Sequence, residues 1–209
     1  MQTGQRPRWW TGACRELGEN DPLLAGLIAA HPPLRLGSRG NAFQTLARSI
    51  VGQQISVKAA QSVWTRFAAA CETVTPAVVL DASPDTLRSC GLSGRKVEYM
   101  RDLAGHFERR PAGLYGWSGM DDDDIIAELT AVRGIGVWTV QMFLIFHLAR
   151  PDVLPMADLG LRRAIEMAYS RGRATSPRQI ARLSSAWRPW RTVATWYLWR
   201  SLDPEPVLH

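Results

Sequence analysis

The chain has 209 residues, of which 46% are hydrophobic and 21% charged, a composition that excludes an intrinsically disordered protein. No apolar run approaches the roughly 18 to 20 residues of a membrane-spanning helix, so we expect a cytoplasmic protein without a membrane partner. The net charge is +6, and residues 131–209 carry all of it with 11 basic and 5 acidic side chains, which favours an anionic partner for this part of the chain.

Capping residues and apolar periodicity predict a succession of helices. Apolar residues recur at spacings of three and four, and each stretch starts after a residue whose side chain can cap a helix. The predicted starts are Asp21-Pro22, Asn41, Ser56, Ser83-Pro84 and Ser176-Pro177. No segment alternates in the way that a half-buried strand requires. The sequence therefore predicts an all-α fold without a sizeable sheet.

Four consecutive aspartates, Asp121–Asp124, stand before the apolar residues Ile125 and Leu129. Such a cluster suggests a metal site at first sight. The alternative is the first turn of a helix, where the positive end of the helix dipole favours carboxylates. We prefer the helix interpretation because the apolar residues that follow have helical spacing.

A glycine pair interrupts the helical pattern after residue 130. Gly134 and Gly136 flank Ile135, which allows a tight turn with positive φ and predicts that Ile135 points inward. The backbone N–H groups of the helix that follows would be exposed and could hold a phosphate. That apolar helix is predicted over Val137–Ala149, ending before Pro151.

Asp158 lies 22 residues beyond Gly136 and is predicted to cap the next helix. A capping role alone would explain an aspartate at this position. The same hydrogen bonds and the helix dipole would also keep the carboxylate ionised, which is what a group that stabilises a cation requires. The residues alone leave both interpretations open.

Together, the hairpin, the apolar helix and this aspartate resemble the helix–hairpin–helix DNA glycosylase superfamily. The segments 46–56, 91–96 and 187–194 are similar to its alkylation-repair branch, the 3-methyladenine DNA glycosylase II type. The resemblance implies an all-α fold of two helical lobes with a cleft between them. It implies one domain over residues 1–209, with a variable segment at about 1–20 and the helix–hairpin–helix and catalytic segment at about 122–170.

The resemblance implies base excision repair: the enzyme would flip an alkylated purine, such as 3-methyladenine or 7-methylguanine, out of duplex DNA and hydrolyse its N-glycosidic bond. Relatives that also cut the backbone use a lysine two positions after the second hairpin glycine. This chain has Trp138 there, so we expect monofunctional hydrolysis without lyase activity. Two alternatives stay open, a glycosylase for another damaged purine and a helix–hairpin–helix DNA-binding protein without catalysis.

The resemblance also assigns residues to roles. Asp158 would be the catalytic carboxylate. The base pocket would contain Trp138, Met142 and Trp199, while Trp187, Trp190 and Trp196 are expected to be packing residues. Gln53 and Gln54 would form the wedge that fills the gap in the DNA. Phosphate would bind at the amides of Gly134, Gly136 and Thr139.

No cofactor is expected to be required. The resemblance allows a structural Na⁺ or K⁺ ion at the hairpin on the carbonyls of Thr130, Val132 and Ile135, whereas the three widely spaced cysteines do not fit an iron–sulfur cluster. We expect a monomer that binds double-stranded DNA containing damaged bases, associated with the nucleoid. Two positions depart from the family pattern: Arg133 stands where a proline is frequent, and Ala157 where a second acidic residue is frequent.

Overall fold

A computed structural model describes residues 6–31, 41–109 and 117–202 of the chain. These ranges are helical and contain no strand, as the sequence predicted. In chain order the α-helices are α1 (Trp10–Asn20), α2 (Pro22–Ala30), α3 (Ala42–Gly52), α4 (Val57–Cys71), α5 (Pro76–Asp81), α6 (Pro84–Ser89), α7 (Gly94–Arg109), α8 (Asp122–Thr130), α9 (Val137–Phe146), α10 (Leu159–Ser170), α11 (Pro177–Ser184) and α12 (Arg191–Leu202). Short 3-10 helices cover Trp117–Gly119 and Ser185–Trp187. None of the described helices is long and apolar enough to cross a membrane.

The predicted caps are confirmed at five helix starts for which the sequence named a capping residue. The side chains at the N-cap positions of α2, α3, α4, α6 and α11 each accept a hydrogen bond from a backbone N–H of the first turn. The aspartate run forms the start of α8, with Asp121 at the N-cap and three aspartates in the first turn. The cap bonds of the other five helices satisfy backbone N–H donors that a helix start would otherwise leave unpaired.

The chain divides into two compact units. The first takes in the described residues 6–31 and 144–202, and its core is rich in aromatic side chains. Helix α12 packs against α1, α2 and α10, burying Trp196 and Tyr197 almost completely. Trp187 is also buried, so the predicted packing role of these tryptophans is confirmed.

One aspartate connects several elements of the first unit. Asp21 caps α2 through Oδ1, and its Oδ2 accepts hydrogen bonds from the Tyr169 hydroxyl at 2.6 Å and the Trp187 indole N–H at 3.4 Å. Burial, followed by the neighbouring Asp21 carboxylate, raises the pKa of Tyr169. This network links α2 to α10 and to the short helix at Ser185–Trp187.

The second unit takes in the described residues 41–109 and 117–143. Helix α7 packs against α3, α5 and α6, and α3 also packs against α4. Phe107 lies at the centre of an aromatic cluster, with edge-on contacts to Phe43 and Trp117. Trp117 contacts Phe143 in the second half of α9 with the same geometry, so this part of α9 is anchored in the core.

One local prediction is wrong. Helix α9 ends at Phe146 and not at Ala149, because Ala149 adopts a positive φ of 52° and the Arg150 N–H donates to the Leu144 carbonyl at 2.9 Å. Of the two hairpin glycines, only Gly134 has a positive φ, at 84°. The turn therefore contains one left-handed residue. Gly136 does not need this conformation, because its carbonyl already accepts the Val140 N–H at the start of α9.

Candidate functional site

Asp158 is the N-cap residue of α10, as predicted. Its carboxylate Oδ1 accepts a hydrogen bond from the Leu161 backbone N–H at 2.6 Å, and its own carbonyl begins the helix by accepting from the Arg162 N–H. The positive end of the α10 dipole lies at this position and favours the ionised carboxylate. The Asp158 side chain is half-buried, and the next residue, Leu159, is 77% exposed. The carboxylate therefore lies near the protein surface.

The indole of Trp199 contacts the same oxygen. Its Nε1–H donates to Asp158 Oδ1 at 2.8 Å, which joins α12 to the start of α10 across 41 residues of sequence. The indole ring also stacks on Phe146 with 6.1 Å between centroids and 16° between planes. Two of the predicted site residues, one assigned to catalysis and one to the base pocket, are therefore in direct contact.

Gly160 leaves space for this contact, and sequence reasoning missed it. A Cβ at Gly160 would lie 3.2 Å from Asp158 Oδ1 and 3.5 Å from two atoms of the Trp199 indole. The available signal was a glycine in the first turn of an otherwise regular helix, where it lowers helix stability. Phe146, which supports the indole, could not be identified from its position in the apolar run.

The hairpin of the second unit connects α8 to α9. Ile135 is buried, which confirms the prediction that it points inward. A Cβ at Gly134 would collide with the ring of Tyr99, whereas a Cβ at Gly136 would meet nothing within 4 Å. Gly136 therefore stands in open space at the start of α9 and has no side chain that could cap the first N–H groups of this helix.

Gln53 is attached to the hairpin. Its side-chain Nε2–H donates to the Gly134 carbonyl at 2.7 Å, so the two predicted DNA-contacting segments of this unit meet across 81 residues of sequence. Gln54, the next residue, has a positive φ of 58° and an exposed side chain. A positive φ is uncommon for a residue other than glycine and indicates a backbone constrained by its surroundings.

Arg133, which replaces the frequent proline of the family, is held by carboxylates of α7. Its backbone N–H donates to Asp102 Oδ2 at 2.8 Å, a bond that a proline could not make. Its guanidinium lies 3.6 Å from Asp102 and 3.8 Å from Glu98. Sequence reasoning did not identify these partners, although Glu98 and Asp102 have the i, i+4 spacing of one helix face.

The remaining predicted residues lie on or near the hairpin. Trp138 is 39% exposed in the first turn of α9, Thr139 is half-buried, and Met142 is buried. Val132 is buried and its carbonyl accepts the Ile135 N–H at 3.1 Å. A carbonyl oxygen has two lone pairs, so the Val132 oxygen retains capacity for a cation beside this bond. Among the described residues, no cluster of three or more His, Cys, Asp or Glu side chains could hold a metal ion.

Comparison with known proteins gives consistent matches over most of the chain. The family described as "HhH-GPD superfamily base excision DNA repair protein" matches residues 47–189. DNA-3-methyladenine glycosylase 1 of Schizosaccharomyces pombe is 31% identical over 192 residues, which are 88% of this chain and 83% of that protein.

Solved structures are similar over the same length. The crystal structure of a DNA-3-methyladenine glycosidase from Bacillus halodurans has a TM-score of 0.84 at 33% identity, covering 91% of this chain and 89% of that one. The structure of a 3-methyladenine DNA glycosylase of Schizosaccharomyces pombe in complex with abasic DNA has a TM-score of 0.73 at 29% identity, covering 91% and 96%.

Proposed function

The chain belongs to the HhH-GPD superfamily of base excision DNA repair proteins, and from this premise we propose that it removes alkylated purines, 3-methyladenine and 7-methylguanine, from duplex DNA. It is a DNA glycosylase, a hydrolase of N-glycosyl bonds, and it binds DNA. The observation that carries the proposal is the carboxylate of Asp158, fixed at the start of α10 by the Leu161 N–H and the Trp199 indole.

Asp158 would act by its negative charge. When the bond between the purine and C1′ breaks, positive charge develops on the sugar, and a fixed carboxylate stabilises this oxocarbenium-like transition state. Water then adds to C1′, its proton is released, and the products are the free base and an abasic site. A purine methylated at N3 or N7 is already cationic and leaves as a neutral base, so the reaction needs no strong general acid.

Base recognition would rely on aromatic surfaces. A cationic purine is attracted to the face of an indole by roughly 0.5–2 kcal/mol. Trp138 offers an exposed indole at the start of α9, and the buried Met142 one turn later would contribute apolar lining. Trp199 would contribute a ring face, because its N–H is already engaged by Asp158.

Access to the base requires that the nucleotide leave the duplex, and the segment of Gln53 and Gln54 would stabilise this extruded state. We propose that Gln54 fills the gap in the base stack, since its side chain is exposed and its backbone is held in an uncommon conformation. Gln53 would fix the segment through its hydrogen bond to Gly134. The cost of extrusion is a few kcal/mol, least for a damaged or poorly paired base.

The hairpin would bind a phosphate of the DNA backbone through the amides of Gly134, Gly136 and Thr139. The open space beside Gly136 and the N-terminus of α9 support this role, because both let a phosphate approach backbone N–H groups. A Na⁺ or K⁺ ion on the carbonyls of Thr130, Val132 and Ile135 would add positive charge at the same place. Exchange of these ions for a bulky organic cation would then weaken DNA binding.

Hydrolysis without strand cleavage is the expected outcome of the reaction. A lyase needs an amine that forms a Schiff base with C1′, and the chain contains only two lysines, Lys58 and Lys96. Lys96 donates to the Val51 carbonyl at 2.7 Å, and burial lowers its pKa. Position 138, where lyases of this superfamily carry the nucleophile, is a tryptophan. We further propose that the protein acts as a cytoplasmic monomer.

The proposal is tested by incubating the protein with methylated duplex DNA and separating the released bases by chromatography. Strand breaks are measured before and after alkali treatment. Release of 3-methyladenine or 7-methylguanine, with breaks only after alkali, is the expected result. Breaks without alkali would refute monofunctional action. Damage-independent binding without any base release would refute the enzymatic proposal and favour a DNA-binding protein, whereas release from oxidised or deaminated DNA alone would change the substrate.

A further inference from the structure

The last part of the chain carries an excess of positive charge. Between Glu166 and Asp203 the sequence has seven arginines and no acidic residue. Arg188 and Arg191 bind Asp152, which lies earlier in the chain, at 3.0 and 2.6 Å. These two arginines therefore have a structural role in the first unit.

Four other arginines in this region are exposed and lie between the end of α10 and the end of α11. They are Arg171, Arg173, Arg178 and Arg182, here called the arginine turn. Within the described part of the chain, none of the four forms an ion pair. Arg171 and Arg182 lie at helix C-terminal ends, where the helix dipole favours cations. Arg178 and Arg182, however, are like charges four residues apart on one helix, an arrangement that destabilises α11 unless an anion compensates it.

The backbone of the arginine turn is well defined. The Gly172 N–H donates to the Glu166 carbonyl at 2.8 Å, and the Arg173 N–H donates to the Ser170 carbonyl at 3.0 Å. Ser176 caps α11 with a complete capping box. Arg178 and Arg182 are one helical turn apart on α11, on the side away from the buried residues Ile180 and Ser184. The four guanidinium groups thus extend from a fixed scaffold.

Arg171 is remote from Asp158. Asp158 caps the start of α10 and Arg171 caps its end, so the helix axis separates them by about 20 Å at 1.5 Å per residue. Arg171 therefore cannot contact a group that is held at Asp158.

We propose that the arginine turn is a phosphate-binding surface for double-stranded DNA, in addition to the hairpin. The inference rests on the proposed function only in taking duplex DNA as the partner. Arginine favours phosphate because its planar guanidinium donates two parallel hydrogen bonds to phosphate oxygens. Duplex DNA also presents phosphates at regular intervals, which suits four exposed cations spread over two helix ends better than a single small anion does.

The test compares two double variants that remove the same net charge. Arg178→Ala/Arg182→Ala alters the arginine turn. Arg15→Ala/Arg88→Ala is the matched control, since both of its arginines are exposed α-helical residues that face a carboxylate at 4.0 Å. Binding to an undamaged duplex of about 25 base pairs is measured as a function of salt. Circular dichroism melting verifies that both variants are folded.

We expect the first variant to bind the duplex about tenfold or more weakly at 0.1 M salt, with a slope of log K against log salt that is smaller by about 2. An unchanged slope would overturn the proposal, as would an equal loss in the control variant. Because binding is measured on undamaged DNA, this result is independent of whether the protein excises alkylated purines.

Discussion

Replacing each hairpin glycine by alanine separates folding from phosphate binding, because the two glycines have different surroundings. At Gly134 the new methyl group would collide with the Tyr99 ring, and the backbone has a φ of 84°. The left-handed conformation costs a non-glycine residue roughly 1–2 kcal/mol, and overpacking costs about 1–3 kcal/mol. Gly134→Ala should therefore lose about 2–5 kcal/mol of unfolding free energy, which lowers the melting temperature of a chain of this size by about 5 °C or more.

Gly136→Ala should leave stability almost unchanged. Its Cβ meets no atom within 4 Å, and its φ is not positive. Alanine is a poorer N-cap residue than glycine, but it also restricts the unfolded chain by about 0.4–1 kcal/mol, and the two effects oppose each other. The methyl group would instead occupy the space through which a phosphate approaches the hairpin amides. Loss of one hydrogen bond to a charged group, about 1.5–3 kcal/mol, corresponds to roughly 10- to 100-fold weaker binding.

Thermal melting and DNA binding are measured for both variants against the wild type. Gly134→Ala should melt early, and Gly136→Ala should melt normally and bind DNA poorly. Wild-type affinity in Gly136→Ala would refute the role of the hairpin as a phosphate site. Early melting of Gly136→Ala would contradict the open space that the structure places beside it.

Two further predictions concern the first unit. Trp199→Phe removes the indole N–H that donates to Asp158 and should slow excision by roughly 10- to 100-fold, the equivalent of a charged hydrogen bond of about 1.5–3 kcal/mol. The matched control is Trp190→Phe, which removes a similar indole hydrogen bond to Glu16 at 2.6 Å and should leave the single-turnover rate unchanged. Equal rates in both variants would contradict the proposal that the Trp199 indole positions the Asp158 carboxylate. Burial lowers the pKa of His147, so the unfolded chain binds its proton at higher pH than the folded chain does, and stability should fall as the pH decreases below about 6.5. Chemical denaturation at about pH 7.5 and pH 5.5 should show a smaller acid-induced loss of unfolding free energy in His147→Gln, and an equal loss would contradict this assignment.

Local sequence signals predicted the helix starts because capping is a local interaction. Asn41, Ser56 and Ser176 each bind an N–H group three residues later, so the motif and the bond lie within one turn. Helix α1 had no such signal: its N-cap residue, Trp9, makes no side-chain cap bond. The end of α9 was placed three residues too late, because the positive φ of Ala149 depends on how the following segment folds back.

The candidate site could be predicted only as a set of separate residues. The position of Asp158 at a helix start is local and was predicted, but its contact with Trp199 spans 41 residues and its steric requirement at Gly160 depends on that contact. The bond between Gln53 and Gly134 spans 81 residues. Contacts of this kind arise from tertiary packing, which single-sequence patterns do not encode.

The most direct test of the catalytic role of Asp158 is the single-turnover excision rate of Asp158→Asn on a duplex containing one alkylated purine. Asparagine caps a helix as well as aspartate does, and its Oδ1 can accept from both Leu161 and Trp199, so the substitution removes the charge and keeps the hydrogen bonds. Two unit charges 4 Å apart interact by about 4 kcal/mol at an effective dielectric constant of 20, which corresponds to about a thousandfold in rate.

Asp121→Asn is the control, because it makes the same change at the exposed N-cap of α8. We predict that Asp158→Asn melts and binds DNA like the wild type and excises about a thousandfold more slowly, while Asp121→Asn excises normally. An Asp158→Asn variant that is folded, binds DNA and excises at the wild-type rate would contradict the assignment of Asp158 as the catalytic carboxylate.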